Sequence, residues 1–276
     1  MCLAAFAIDV HPDWPLVVIA NRDEFHARPT QSMQPWQEAP HLLAGRDVQA
    51  GGTWLGIDTN ARMALLTNVR DPTNHKTGAP SRGHLVERFM RGSMNSGQYL
   101  KSLTDGVSPY NGFNLVLIDE QAWHASNHQQ PFATRIEPGI HGLSNALMNT
   151  PWPKTQRTVR ELAAYLAAYL APGSKINVAA LWQIMQDATP VCDELLPATG
   201  LSQVRERLLA PPFIVSPDYG TRCTTIVLKH RTGACWVQED NYNPAGQCTQ
   251  RTRWWHTRGH LWQPTQLEPN DLLLDD

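Results

Sequence analysis

Short apolar runs bounded by turn-forming clusters occupy both ends of the chain, and helical spacing lies mostly between them. Residues 2–10 are small and apolar, and residues 15–20 (PLVVIA) are short and β-branched, the composition of a buried strand. His11-Pro12-Asp13 separates the two and predicts a hairpin. A polar, proline-rich stretch over residues 30–40 carries no strand signal. Residues 52–58 (GTWLGID) and 61–69 (ARMALLTNV) flank the turn Asp58-Thr59-Asn60 and predict a second hairpin.

Helical spacing starts after Ser81, a candidate N-cap, with Leu85, Val86, Phe89 and Met90 on one face and Gly92 as the stop. A shorter helix is predicted near residues 95–103, then strands at 111–119 and 122–126. The clearest helix spans residues 158–170. Thr158-x-x-Glu161 is a capping-box pattern, Leu162, Tyr165, Leu166, Tyr169 and Leu170 form one stripe, and Pro172-Gly173 ends it. Two amphipathic helices follow at 177–186 and 202–209, and strands return at 221–230, 234–240 and 251–256. Strands, then helices, then strands predict an α+β fold with helices packed on antiparallel sheet. No repeat or Gly/Ser linker divides the chain, so residues 1–276 are read as one domain.

Composition removes several classes of function. Lys+Arg number 23 against 25 Asp+Glu, a net charge of -2, which leaves no basic field for a nucleic-acid backbone. A hydrophobic fraction of 42% argues against general disorder. No apolar run reaches the roughly 18 residues that suggest a membrane span. The apolar start lacks a basic region and is ended by Asp9, so a soluble, cytoplasmic protein is expected. The five cysteines are scattered without a C-x-x-C pair, and no dinucleotide, P-loop, zincin or serine-elbow motif occurs. No cofactor and no metal site are predicted.

Cys2 is the sharpest chemical feature. A small residue after Met1 allows the methionine to be removed, which would make cysteine the first residue. Its thiol and its own α-amine have ordinary pKa values of about 8.5 and about 7.7–8.0, so nucleophile and base would lie on one residue. Thiolate attack would give a thioester that water releases. The ordinary role of a free cysteine is a small core residue. Asn21-Arg22-Asp23-Glu24 follows the second apolar run, where Arg22 could hold a thiolate or carboxylate and Asp23 or Glu24 could orient the amine. Asn68 and Asn145 are candidate oxyanion donors. Arg222 opens the strand TRCTT, on a face with Thr224 and opposite Cys223 and Thr225.

The runs MCLAAFAI, ANRDEF with Arg28, GGTWLGI, TNVR, SRGHLV, YNGFNL and HGLSN, in order from residue 2 to about 145, resemble the NRDE family, also called transport and Golgi organisation protein 2. YGTRCTT (219–225) is a weaker echo. The resemblance implies similarity to N-terminal-nucleophile hydrolases and a four-layer αββα sandwich. It also implies that Cys2, Arg22, Asp23, Asn68, Asn145 and Arg222 match the site of Met-Cys amidases. Those enzymes place their acid before an aromatic, which would make Glu24, before Phe25, the counterpart rather than Asp23. Asn21, Arg28, Trp54 and Arg82 lie in the same motifs and are candidate substrate contacts. Eukaryotic members have been linked to haem trafficking, to acyl-CoA and lipid metabolism, and to secretory organisation.

Two functions are therefore expected to compete. One is a cysteine hydrolase acting on a linear amide or a thioester such as acyl-CoA. The other is a carrier of haem or an acyl lipid in the same pocket, for which ten tryptophans and the pairs His124/His128 and His256/His260 would supply rings and ligands. A scaffold that has lost activity is a third reading.

Overall fold

The N-terminal hairpin is present, and its second strand outruns the apolar segment that announced it. The computed structural model describes residues 2–104, 106–171 and 173–272. β1 (Cys2–Ile8) pairs antiparallel with β2 (Leu16–Phe25), so Asn21-Arg22-Asp23-Glu24 lies within the strand rather than after it. Pairing on both sides holds these polar residues extended: β1 lies on one flank and β11 (Tyr219–Lys229) on the other. Met1, and with it the question of methionine removal, lies outside the described residues.

The proline-rich stretch forms β3 (Thr30–Trp36) and the start of β4 (Ala39–Asp47). Pro35 is tolerated because β3 is an edge strand and its register shifts beside the proline. The second predicted hairpin is β5 (Leu55–Asp58) and β6 (Met63–Asn68), followed by α1 (Gly83–Arg91) and α2 (Ser96–Leu103). Next come β7 (Phe113–Ile118), β8 (Ala122–Ser126) and two short strands without a sequence signal, β9 (Ala133–Arg135) and β10 (Gly139–Leu143). Three helices follow: α3 (Pro153–Ala168), α4 (Val178–Met185) and α5 (Gln203–Leu209). After β11, the chain adds β12 (Cys235–Tyr242), β13 (Cys248–His256) and β14 (Gln263–Pro264).

Two helix starts differ from expectation. Ser81 does not cap α1, whose N-cap is Arg82 without a side-chain bond. α3 begins five residues before Thr158, because Pro153 supplies a preset φ in its first turn. Thr158 is therefore inside the helix, buried, and its hydroxyl donates to the Lys154 carbonyl. Leu162, Tyr165 and Leu166 form the buried stripe, whereas Tyr169 is the C-cap and Leu170 is exposed.

Among the described residues the strands form two seven-stranded sheets, ordered β10-β1-β2-β11-β12-β13-β14 and β3 to β9 in sequence. The inner faces meet in an apolar layer, with Phe6, Val18, Val227 and Val237 from the first sheet and Leu43, Ile57, Leu65 and Val116 from the second. Outside the second sheet, Leu85, Phe89 and Leu100 of α1 and α2 cover Leu42, Leu66 and Leu117. Outside the first, Leu162, Leu166, Leu181 and Met185 of α3 and α4 cover Leu3, Ile19 and Ile226. This is a four-layer αββα sandwich. Strand alternation then sorts the N-terminal residues: Cys2 and Arg22 continue the inner row of Ala4 and Ala20, and Asn21 and Asp23 continue the outer row of Ile19.

Candidate active site

The ends of β1, β2 and β6 and the start of α1 surround one cavity of about 500 Å³. Cys2, Arg22, Asp23, Glu24, Arg28, Trp54, Asn68 and Arg82 all line it, although they are drawn from separate runs between positions 2 and 82. Cys2 stands opposite Arg22 across the β1–β2 pair. Its carbonyl accepts from the Ser144 hydroxyl at 3.1 Å, and the Asp23 backbone N–H donates to its thiol. Burial raises the thiol pKa and Asp23 adds to the rise, while Arg22 and the Asp23 amide lower it.

Arg22 is buried, with its guanidinium 4.2 Å from the centre of the Trp54 ring and one N–H on the Thr30 hydroxyl at 3.2 Å. Trp54 is set by Gly45, where an added Cβ would sit 2.4 Å from the indole. Arg28 is engaged with Asp47 at 2.7 Å. Arg82 donates to the Gly112 carbonyl at 2.8 Å and has its pKa lowered by burial. Gly52 lets the loop before β5 meet the start of α1, since a Cβ there would lie 2.5 Å from the Gly83 carbonyl carbon.

The two acidic candidates separate cleanly. Asp23 is 1% exposed and accepts from the Thr221 hydroxyl at 2.8 Å, and its carbonyl accepts from the Tyr219 hydroxyl. Burial pushes its carboxyl pKa up against the pull of Lys154. Glu24 is half-buried and accepts from the adjacent Phe25 amide. Three sequence candidates do not line the cavity. Asn21 is bound on the outer face to the Met185 and Pro212 carbonyls and to Thr224. Asn145 donates to the Asn68 carbonyl at 2.9 Å and so fixes the end of β6.

Arg222 is displaced by a bulge. Thr221 pairs with Asp23 and Cys223 with Arg22, which leaves Arg222 as an extra residue and breaks the expected alternation. Its guanidinium donates to the carbonyls of Phe25, His26 and Arg28 and ties down the turn after β2.

Sequence reasoning missed the charged groups behind the site. Arg70, in the TNVR run, pairs with Glu206 of α5 and lies 4.7 Å over Trp152. Lys154 of α3 is 2% exposed and acts on Asp23 and Cys2. Arg70 could have been found within its motif, whereas Lys154 and Glu206 had no local signal. The histidine pairs considered for haem do not lie on helices. His124 is buried in β8 against Asn114 and His128 is in the following turn, while His256 is buried in β13 and His260 lies beyond it.

A model of the family described as Transport and Golgi organisation 2 matches residues 1–244. The chain belongs to this family. The Transport and Golgi organization protein 2 homologs of Bos taurus and Homo sapiens are 34% and 32% identical to it over 249 residues, covering 84% of this chain and 90% of theirs. The Drosophila melanogaster protein of that name is 26% identical over 212 residues, 68% of this chain and 72% of its own. Among solved structures, a C2A mutant conjugated bile acid hydrolase from Clostridium perfringens is similar with a TM-score of 0.49 and 8% identity over 97% of both chains. A Caenorhabditis elegans N-acylethanolamine-hydrolyzing acid amidase ortholog has a TM-score of 0.40 and 10% identity over 82% of this chain and 92% of that one. In this Transport and Golgi organisation 2 chain the family match includes every residue that lines the Cys2 cavity. No helix among the described residues is long and apolar enough to cross a membrane.

Proposed function

We propose that the chain is a cysteine hydrolase that cleaves a linear amide or a thioester through an acyl-enzyme on Cys2. The observation that carries the reading is that Cys2 lines a cavity of about 500 Å³ together with Arg22, its partner across the β1–β2 pair, and with Asp23 and Asn68. The thiolate attacks the substrate carbonyl, and a carbon–sulfur bond forms. The bond to the leaving amine or thiol then breaks, with the thiol's proton delivered to the leaving group. Water attacks the thioester, releases the acid and returns a proton to sulfur. The base is the Cys2 α-amine once Met1 is removed. Asn68, held at the cavity wall by Asn145, supplies the amide for the oxyanion.

The lining also narrows the substrate. Arg22 and Arg82 form no ion pair with a carboxylate among the described residues, whereas Arg28 is already neutralised by Asp47. Two unneutralised guanidiniums beside the thiol favour an acyl substrate with a carboxylate or phosphate near the scissile bond. Trp54 is the tryptophan of the cavity and its ring is covered by Arg22, which disfavours a large planar apolar ligand.

The test uses protein with its native start, incubated with N-acyl amides and acyl thioesters and followed by intact mass. An acyl adduct mapped to Cys2, with turnover lost in Cys2→Ala, is the expected result. Turnover undiminished in Cys2→Ala overturns the proposal.

A further inference from the structure

A second, smaller chamber adjoins the Cys2 cavity between the two sheets. Its volume is about 10 Å³, against about 500 Å³ for the cavity itself. The two share Cys2, Arg22, Trp54 and Leu66, so these residues form the partition between them. Beyond the partition the chamber is walled by Ala20 of β2, Leu55 of β5 and Leu65 of β6, all members of the apolar layer between the sheets. The polar residues at its edge are engaged elsewhere. Asn21 donates to the Met185 and Pro212 carbonyls, and the Thr225 hydroxyl donates to Glu239. The chamber therefore offers an entering group apolar surface, whereas the cavity offers Arg22, Arg82 and the Arg28–Asp47 pair.

Trp54 is the bulkiest part of the partition, and three contacts fix it. Its carbonyl accepts from the Leu66 N–H at 2.8 Å, which ties its backbone to β6. Its face carries the Arg22 guanidinium at 4.2 Å, and Arg22 is itself held by the Thr30 hydroxyl. The benzo edge of its ring rests on Gly45 of β4, where even a methyl group would sit 2.4 Å from the indole. The ring has no room to retreat on that side. A space of this size is at the lower limit for one water molecule, so the chamber takes about one methyl-sized group while the indole stays in place.

We infer that Trp54 sets the acyl-chain specificity of the Cys2 site. The chamber takes a small apolar acyl group, and the leaving amine or thiol, which carries the anionic group, stays in the polar cavity. The substrate part of this inference rests on the hydrolase reading above, and the size limit rests on the chamber. Cys2 lines both spaces, so a group carried on its sulfur meets either the apolar wall or the guanidiniums. A longer apolar chain must push a packed indole off Gly45 or lie against Arg22 and Arg82 and strip their water, and both cost free energy.

The test treats protein with its native start with methyl, propyl and hexyl methanethiosulfonates. Each places its alkyl chain on a cysteine sulfur as a mixed disulfide and releases methanesulfinate. Site-mapped mass spectrometry reads the rate at Cys2 against that at exposed Cys248, which corrects for the reactivity of the reagent itself. From methyl to hexyl this ratio is expected to fall about tenfold or more in the wild type, and about threefold or less in Trp54→Ala. A flat profile in the wild type overturns the inference, and so does a fall that persists in folded Trp54→Ala. If Trp54→Ala does not fold, Trp54→Phe decides: the smaller ring should recover propyl labelling, and an unchanged profile overturns the inference. None of these readouts needs turnover. Chain-length discrimination without turnover of any amide or thioester would defeat the hydrolase reading and leave the size limit intact, and turnover with a flat profile would do the reverse.

Discussion

Arg22 stands directly across the β1–β2 pair from Cys2, and its guanidinium rests on the Trp54 ring at 4.2 Å. The pairing puts a fixed positive charge on the inner face beside the thiol. Replacing it by Arg22→Met removes the charge and leaves an apolar stem of similar reach. The thiol should then ionise about one pH unit higher, read as the pH dependence of alkylation at Cys2. Unshifted labelling would mean that the guanidinium does not act on the thiol.

Asn68 lies on the cavity wall, its segment is pinned by Asn145, and the proposed hydrolase uses it as an oxyanion donor. Asn68→Ala should lower kcat by about 100-fold, with a smaller change in KM, once a substrate is in hand. Steady-state kinetics of the two proteins checks it. A change confined to KM would assign Asn68 to binding alone.

The Arg70–Glu206 pair is buried on both sides. Glu206→Gln leaves the guanidinium in a dry site without its carboxylate. The expected cost is roughly 3–5 kcal/mol, measured by urea unfolding. A loss under about 1 kcal/mol, the range of exposed pairs, would show that the pair is solvated.

Gly52 abuts the Gly83 backbone where α1 begins. Gly52→Ala should destabilise by about 1–3 kcal/mol, because backbone rather than a flexible side chain must move. The same variant should slow Cys2 alkylation, since Arg82 precedes that contact and lines the cavity. Thermal unfolding and the labelling rate together report it.

His124 is buried beside Asn114, and burial pushes its pKa down to about 4. The folded state therefore favours the neutral ring, while the unfolded state titrates near 6.5. Its contribution is fully present above the unfolded value and is lost as pH falls towards 4. Relative to His124→Gln, the wild type should lose about 2 kcal/mol between pH 7.5 and pH 5, seen as a falling gap in urea stability. A constant gap would place a solvated ring at this position.

Much of the site was legible because its members sit in short runs with distinct chemistry. The paired apolar runs announced β1 with β2 and β5 with β6, and the polar residues at their ends proved to line one cavity. The different burial of Asp23 and Glu24 was not legible, because adjacent strand residues point to opposite faces and only the sandwich shows which face is covered. The face expected for Arg222 was lost for a related reason: strict alternation holds only in a regular ladder, and a bulge on β11 inserts this residue. β3 was hidden by Pro35, which argues against a strand except at a sheet edge.

The sequence by itself determined the strand–helix–strand order and the family motifs, and it singled out Cys2 as the candidate nucleophile, since these depend on periodicity and local residue type. The tertiary structure alone decided the two-sheet topology, the start of α3 and the charges behind Cys2. Arg70, Lys154 and Glu206 are far apart in the chain and unremarkable as isolated residues. Burial is what gives them meaning, because only in a dry interior must each charge find its opposite.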